Sequence, residues 1–237
     1  MPYVLSPLIK LNSPGMWAEG PAYQKQNIYS IEDGKIPPVN YDEHTFRPHS
    51  LTHLETPAHT QKSGRTVDFY FNHDLTFFYG ETVVIKLKGN NFQSTKIPGV
   101  FHWIISVEEI MNRLKEINNN ILPAKILITV DNCPLNAEGF HNPDYVLTLS
   151  KEAASFLIST PNFNLYGTSW KSSDYQPGSA LRPIHDTLFR KALVLENLCL
   201  EKVPEGKYFM NAFPLPLEGA SESPVVPVLF SQDELKF

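Results

Sequence analysis

The chain has 237 residues, of which 42% are hydrophobic and 19% charged, a balance typical of a folded globular protein. A formal net charge of −5 gives no electrostatic reason to expect nucleic acid or an anionic membrane as a partner. No stretch carries the roughly 18 consecutive apolar residues of a membrane span, and the start of the chain lacks the basic and apolar segments of a signal peptide. The two cysteines, Cys133 and Cys199, suit a reducing compartment, so we expect a cytosolic protein.

No feature of the composition divides the chain. There is no internal repeat, low-complexity tract or linker-like stretch, so we expect a single domain over residues 1–237. The 20 prolines concentrate in the first 60 residues and after residue 204, which predicts irregular or edge-strand structure in those regions.

Strand signals recur through the middle of the chain. Short β-branched runs predict buried strands at 82–87 (TVVIKL) and 125–130 (KILITV). Two further strands are predicted at 164–167 (NLYG) and 192–196 (ALVLE), and residues 225–230 predict a last one.

Helix signals lie between these strands. Ser106 and Glu109 have the spacing of a capping box, and they precede an apolar stripe at helical spacing formed by Ile110, Met111, Leu114 and Ile117. Ser150 is placed to cap a second helix, and Pro183 suits the first turn of a third helix that runs to about Lys191. The alternation of strand and helix favours an α/β fold whose sheet is at least partly parallel.

The segment HSLTHLETPAH, residues 49–59, is the densest group of candidate ligands. His49, His53, Glu55 and His59 lie four, two and four residues apart. Histidine together with carboxylate is the ligand set of a borderline divalent metal such as zinc or manganese. Four of the other five histidines are expected to be hydrogen-bonded structural residues: His44, His73, His102 and His141.

The geometry of this segment restricts how it could bind a metal. On a straight strand His49 and His53 would lie roughly 13 Å apart, too far for two bonds of about 2 Å to one ion. Thr52, Thr56 and Pro57 disfavour an α-helix. We therefore predict a bent, non-helical segment with His53 and Glu55 side by side on an extended piece, after which the chain turns at Pro57 to bring in His59.

This segment resembles the HxGTHxDxPxH signature of the cyclase-like metal-dependent hydrolases, the family that includes bacterial kynurenine formamidase and isatin hydrolase. Five positions match the signature: His49, Thr52, His53, Pro57 and His59. Two depart from it, with Leu51 in place of glycine and Glu55 in place of aspartate. Further similar segments include GRTVDFYF, HNPDYVLTLSKEAASFL, YGTSWKSSD and the stretch from VLENLCLEK to SESPVVPVL, so that the resemblance runs from about residue 30 to 230.

The resemblance implies a fold and a set of ligands. The fold is a single α/β domain of the swivelling β/β/α type, with a mixed β-sheet core and flanking helices. One metal site would consist of His49, His53 and Glu55, and a second of His59, His185 and Glu196, with Glu55 shared. The implied cofactor is one or two divalent ions per subunit, zinc or manganese. The implied assembly is a homodimer or homotetramer that acts on a small-molecule substrate.

The resemblance also implies a reaction, the hydrolysis of a C–N bond in a small amide, formamide or lactam by metal-activated water. If no second metal fully engages it, His59 would take the proton of the water and pass it to the leaving nitrogen, and Trp17 is a candidate substrate-binding residue. A purely structural zinc site is not expected, because six candidate ligands exceed the four of a closed structural site. Six further aromatic residues could line a substrate pocket together with Trp17: Phe69, Tyr70, Phe71, Phe77, Phe78 and Tyr79. Most of them are expected to pack in the core instead.

The departures from the family pattern leave an alternative open. Leu51 would carry a steric penalty if the glycine it replaces has positive φ, and Glu55 is one methylene longer than aspartate. Ser169 stands where many relatives carry aspartate, and Val226 where an arginine is often found. These changes suggest a different substrate or reduced activity, and the alternative is a non-catalytic member that binds a metal or a small ligand.

Overall fold

A mixed β-sheet of nine strands is the framework of the protein, and two smaller sheets lie beside it. The structure is a computed structural model that describes residues 1–17, 20–175 and 179–235. The strands in chain order are β1 (Tyr3–Val4), β2 (Tyr23–Tyr29), β3 (Tyr41–Phe46), β4 (His53–Glu55), β5 (Tyr79–Leu87), β6 (Gln93–Ser94), β7 (Phe101–Ile105), β8 (Lys125–Val130), β9 (Tyr145–Leu149), β10 (Leu165–Thr168), β11 (Leu193–Glu196), β12 (Gly206–Asn211), β13 (Glu222–Pro224) and β14 (Val228–Phe230). The α-helices in these ranges are α1 (Val67–His73), α2 (Val107–Asn118), α3 (Lys151–Ser159) and α4 (Pro183–Leu188).

The large sheet has a parallel centre and antiparallel flanks. Its strand order is β1-β14-β12-β5-β8-β10-β11-β4-β13, and the run from β5 to β11 is parallel. β4 pairs antiparallel with both β11 and β13. The smaller sheets are β2-β3 and β6-β7-β9. This architecture confirms the predicted α/β fold with a mixed sheet.

Apolar side chains cover both faces of the central strands, which explains their nearly continuous hydrophobic sequences. In β8, Ile126 and Ile128 belong to one buried cluster, while Leu127 points into another on the opposite face. The first cluster packs beneath α2, α3 and α4, and the second includes Tyr70 of α1. Each fully buried aliphatic side chain of this kind contributes about 1.5–3 kcal/mol.

The helices begin where the sequence predicts. The capping box of α2 is formed, since Ser106 Oγ accepts from the Glu109 N–H at 3.2 Å and the Glu109 carboxylate accepts from the Ser106 N–H at 2.8 Å. Ser150 caps α3, and Pro183 begins α4. α4 ends at Leu188, three residues before the predicted end, because the chain turns there and enters β11. No helix within the described ranges combines the length and the apolar character needed to cross a bilayer.

The proline-rich regions contain edge strands, as predicted, and the bounds of one predicted strand are corrected. Residues 23–46 contain the regular antiparallel pair β2-β3, whose mainly exposed side chains lack the alternating apolar pattern that marks a strand in a sequence. The predicted strand at 225–230 is shortened to β14, and Pro227, which has no N–H to donate, immediately precedes it. The separate strand β13 lies upstream of β14.

Gly64 holds the turn that carries His59. A Cβ atom at Gly64 would lie 2.3–2.4 Å from backbone atoms of Pro57 and Ala58. We expect Gly64→Ala to lower the free energy of unfolding by about 1–3 kcal/mol, because the turn must move to admit the methyl group. Urea unfolding measures this change. The control is Ser63→Ala at an exposed neighbouring position, and equal stability of the two variants would contradict the proposed contact.

Candidate metal centre

Strand pairing places three carboxylates and a histidine on one face of the large sheet. β4 lies between β11 and β13, with His53 opposite Glu196 and with Glu55 opposite Glu222. Because side chains alternate along a strand, His53 and Glu55 share one face, while Leu54 points into the core on the other. Register alone therefore assembles this part of the site.

Short turns on either side of β4 supply the other two histidines of the segment. Single 3₁₀ turns at Pro48–Ser50 and Pro57–His59 carry His49 and His59, and both begin at a proline. The prediction of a bent segment with His53 and Glu55 on an extended piece is confirmed. Leu51 has φ −121° and ψ 173°, so the leucine carries no positive-φ penalty at this position.

Glu55 lies at the middle of the predicted ligands. Its Oε1 atom is 3.2 Å from His49 Nδ1 and 3.3 Å from both His53 Nε2 and His59 Nε2. Its Oε2 atom is 2.9 Å from His185 Nε2. Four imidazole nitrogens therefore face a single carboxylate.

Glu196 completes the group from the end of β11. Its Oε1 atom lies 3.2 Å from His185 Nε2, and its Oε2 atom 3.8 Å from His53 Nε2. The Ser173 N–H donates to Glu196 Oε1 from the loop that follows β10. The structure thus brings together all six residues that the sequence singled out as ligands: His49, His53, Glu55, His59, His185 and Glu196.

Two triads within this group have ligand atoms that all lie within 4.8 Å of one another. One is His49, Glu55 and His59, and the other is His53, Glu55 and Glu196. These triads divide the residues differently from the two sites that the family resemblance implies, although Glu55 is shared in either division. The assignment of individual residues to two metal sites stays a prediction.

The orientation of the histidine rings fits a cation. His53 Nδ1 donates to the Leu51 carbonyl at 2.9 Å, and His185 Nδ1 donates to Asp174 Oδ2 at 2.7 Å. In a neutral imidazole the other nitrogen then carries a lone pair, and both Nε2 atoms point at carboxylate oxygens. The lone pairs of these imidazole nitrogens and of the carboxylate oxygens face each other in a buried site. They therefore require a positive charge between them, from a divalent ion or from added protons. The donor set of imidazole and carboxylate is the one that zinc and manganese prefer.

The pKa values of these groups reflect their mutual contacts. Burial raises the pKa of Glu55, but the charge of His185 and the surrounding hydrogen bonds outweigh burial and hold this pKa well below its ordinary value. Burial lowers the pKa of His53, and its contacts with Glu55 outweigh that and raise it. For His59 burial prevails and lowers the pKa, so its imidazole is neutral at pH 7.

The centre is buried on one side and open on the other. The side chains of His53, Glu55, His185 and Glu196 are at most 2% exposed. His49 and His59 retain 30% and 17% of their side-chain surface and form the open side.

Two carboxylates beside the centre were missed by the sequence analysis. Asp174 is fully buried; besides the bond to His185 Nδ1 it accepts the backbone N–H groups of Ile184 and His185, at 3.1 and 3.0 Å. Glu222 approaches both His49 and His59. Both residues stand in segments of family resemblance that could have pointed to them, Asp174 in YGTSWKSSD and Glu222 in SESPVVPVL.

The other residues named from the sequence lie as follows. Trp17 borders the centre, where its Nε1–H donates to the His49 carbonyl at 3.1 Å, and the Lys171 ammonium lies 4.2 Å from its ring centroid. Ser169 is buried and bonded to His141 Nδ1 at 2.8 Å and to Thr129 Oγ1 at 2.9 Å, so it has a structural role of its own. Five of the six aromatic residues considered as pocket walls pack in or against the core cluster on the face of the large sheet opposite His53: Phe69, Tyr70, Phe71, Phe77 and Phe78. The sixth, Tyr79, is exposed.

Asp174 is expected to make the stability of the metal-free protein depend on pH through His185. Burial lowers the pKa of His185, but Glu55 and Asp174 outweigh this and raise it well above 6.5. A raised histidine pKa stabilises the fold fully below about pH 6.5, and this contribution is lost as pH rises through the raised pKa. We expect Asp174→Asn to cost about 1.5–3 kcal/mol at pH 6 and less once the pH exceeds the raised pKa of His185, as measured by urea unfolding in the presence of a chelator over a series of increasing pH.

The matched control for this variant is Asp186→Asn, which removes an exposed carboxylate from the same helix. Its cost should be small throughout the pH series. A loss of stability in Asp174→Asn that stays constant over the pH range in which NMR shows His185 losing its proton would show that this carboxylate does not act on the His185 charge.

Comparison with known proteins identifies the family. The cyclase family model matches residues 8–175. Kynurenine formamidase from Delftia acidovorans is 30% identical over 227 residues, which are 95% of this chain and 95% of that protein. Among solved structures, isatin hydrolase A from Ralstonia solanacearum has a TM-score of 0.71 at 21% identity and covers 98% of this chain and 92% of its own.

A further structure, of a potential metal-dependent hydrolase with cyclase activity, has a TM-score of 0.67 at 20% identity and covers 97% of this chain and 96% of its own. The structural similarities support the same fold, and the family model together with the formamidase similarity extends over most of the sequence. The chain therefore belongs to the cyclase family.

Proposed function

We propose that the protein is a metal-dependent hydrolase that cleaves the C–N bond of a small amide, formamide or lactam. The observation that carries the proposal is the convergence of four imidazole nitrogens on the buried Glu55 carboxylate, with Glu196 beside them. The similarity to a kynurenine formamidase and the shared fold with an isatin hydrolase support the choice of substrate class.

The cofactor in this proposal is zinc or manganese, with one or two ions per subunit. The candidate ligands are His49, His53, Glu55, His59, His185 and Glu196, whose donor atoms suit either ion. When bound, such an ion lowers the pKa of coordinated water from about 15.7 toward 7 and polarises a carbonyl oxygen.

His59 is the proposed proton carrier. Its ring is neutral at pH 7 because burial lowers its pKa, and its Nε2 atom faces the centre. Nε2 can accept a proton from the attacking water and donate it to the departing nitrogen. In the balanced reaction, the water oxygen bonds to the carbonyl carbon, the C–N bond breaks and the nitrogen leaves protonated.

The open side of the centre is the proposed binding region for the substrate. His49 and His59 line it, and Trp17 stands next to His49 through its bond to the His49 carbonyl. An indole in this position offers an apolar surface to an aromatic substrate. The role of Trp17 in substrate binding is part of the proposal.

We also propose that the protein is a cytosolic homodimer or homotetramer. Support for self-association comes from the β2-β3 pair and the loop between its strands, which leave Ile28, Ile36 and Tyr41 exposed. Light scattering during size-exclusion chromatography measures the oligomeric state, and a monomer at micromolar concentration would contradict this part of the proposal.

His53→Ala is expected to abolish turnover. The purified wild-type protein should contain zinc or manganese in a stoichiometric ratio and should hydrolyse at least one member of a panel of aryl formamides and cyclic amides. Loss of the buried His53 imidazole removes a central ligand, so we expect activity to fall by about 1,000-fold or more. Elemental analysis and a colorimetric hydrolysis assay give the two measurements.

His73→Ala is the control, because His73 is an exposed histidine that stacks on Phe69 away from the centre. It should retain the metal content and the rate of the wild type. Stoichiometric metal without turnover on any of the compounds would favour the non-catalytic alternative, and a protein that stays free of metal after incubation with zinc and manganese would refute the proposal.

Glu55→Asp tests whether the longer side chain suits this centre. Both Glu55 oxygens already lie about 3 Å from imidazole nitrogens, so shortening the side chain withdraws the carboxylate from its partners. We expect the hydrolysis rate to fall by about 10- to 100-fold. A faster Glu55→Asp enzyme would mean instead that glutamate weakens the activity of this protein.

A further inference from the structure

Glu222 is a third glutamate at the centre, outside the six candidate ligands. It lies on β13 directly opposite Glu55, so the two side chains emerge on the same face of the sheet. Its Oε1 atom is 3.6 Å from His49 Nε2, and its Oε2 atom is 4.0 Å from His59 Nδ1. Ser221 Oγ donates to the same carboxylate.

The rings of His49 and His59 each direct one nitrogen toward Glu55 and the other toward Glu222. His49 turns Nδ1 toward Glu55 and Nε2 toward Glu222. His59 turns Nε2 toward Glu55 and Nδ1 toward Glu222. Each ring therefore has one nitrogen on the inner side of the centre and one on the side of Glu222.

This arrangement has a chemical consequence for both rings. A neutral imidazole carries one N–H, so an inner nitrogen that offers its lone pair to a metal, or to a proton, requires the N–H on the outer nitrogen. Two outer N–H groups then face one carboxylate, which has an oxygen for each of them. Histidines that bind metals commonly donate their second N–H to a carboxylate in this way, and the partner fixes both the tautomer and the ring orientation.

We propose that Glu222 is a positioning residue that accepts the outer N–H groups of His49 and His59 and holds their inner lone pairs toward the centre. The inference rests on the proposed function, because it is metal binding and proton transfer that require those lone pairs. It holds for His59 whether its Nε2 atom binds a metal or accepts the proton of the attacking water.

The geometry leaves Glu222 free to take this role. Hydrogen bonds between N–H and oxygen are about 2.7–3.2 Å long, so a movement of about 1 Å closes both contacts. The Glu222 side chain is 22% exposed and lies on the edge strand of the sheet, where such a movement meets little resistance. The nearest approach of Glu222 to each ring is at its outer nitrogen, which argues against Glu222 as a seventh ligand.

The Asp174–His185 pair supports the same principle on the buried side of the centre. Asp174 Oδ2 accepts from His185 Nδ1 at 2.7 Å, while His185 Nε2 faces Glu55. Asp174 and Glu222 thus lie beside the outer ring nitrogens of three of the four histidines. The fourth, His53, is held by the Leu51 carbonyl.

The zinc affinity of Glu222→Gln tests the inference. An amide of the same size has one acceptor oxygen and no charge, so it can serve one ring only. We expect the dissociation constant for zinc, measured by competition with a chromophoric chelator, to rise by about 10- to 100-fold. Urea unfolding of the metal-free variant should match that of the wild type, which separates positioning from a role in folding.

The matched control is Glu218→Gln, an exposed residue four positions earlier in the chain. It should bind zinc as tightly as the wild type. Equal zinc affinity of Glu222→Gln and the wild type would overturn the inference while leaving the proposed function intact. A wild-type protein that binds neither zinc nor manganese would overturn the proposed function, and the inference with it.

Nitrogen-15 NMR of the zinc-loaded wild-type protein gives a second measurement that depends on no variant. The expected tautomers are Nε2–H for His49 and Nδ1–H for His59, with both protons protected from exchange with water. His49 bound to zinc through Nε2 would overturn the inference. The protected outer protons should exchange faster in Glu222→Gln, and unchanged exchange rates would count against it equally.

Discussion

The antiparallel pairing of β4 with β11 and β13 is the constraint on which the candidate site depends. It sets His53 beside Glu196 and Glu55 beside Glu222, with all four side chains on one face of the sheet. A shift of one residue in this register would turn His53 and Glu55 into the apolar core and Leu54 toward the centre. The buried leucine therefore fixes the position of the ligands, because its place in the core excludes the shifted pairing.

A second consequence of this pairing is an accumulation of negative charge. Glu55 and Glu222 are direct cross-strand neighbours, and Glu196 lies one strand away, so like charges stand where they would destabilise an ordinary sheet. The four histidines alone offset this charge only if they are protonated, and burial opposes that for His59. A divalent cation would satisfy the carboxylates and the imidazole lone pairs together, which is the physical reason to propose that the cluster binds a metal.

The two departures from the family signature have different consequences. Leu51 lies in an extended conformation and contributes its side chain to the interior, so the replacement of glycine leaves the backbone unstrained. Glu55 is the more consequential change, since its carboxylate contacts four histidines and belongs to both triads that could hold a metal ion. β4 carries Glu55 between two neighbouring strands, which fix the position of its backbone.

The sequence by itself determined the local features of this protein. Periodicity, caps and prolines predicted the central strands, the starts of α2, α3 and α4, and the bent HSLTHLETPAH segment, because these depend on interactions between residues close in the chain. The candidate ligands His185 and Glu196 required the family resemblance, since nothing near either residue in the sequence marks it as a ligand. The positions of Asp174 and Glu222 beside the histidines were decided only by the tertiary structure, because each comes close to a histidine through the packing of separate elements. The regular pair β2-β3 was missed for a related reason: its strands are held by backbone hydrogen bonds to each other rather than by a buried apolar face that a sequence pattern could reveal.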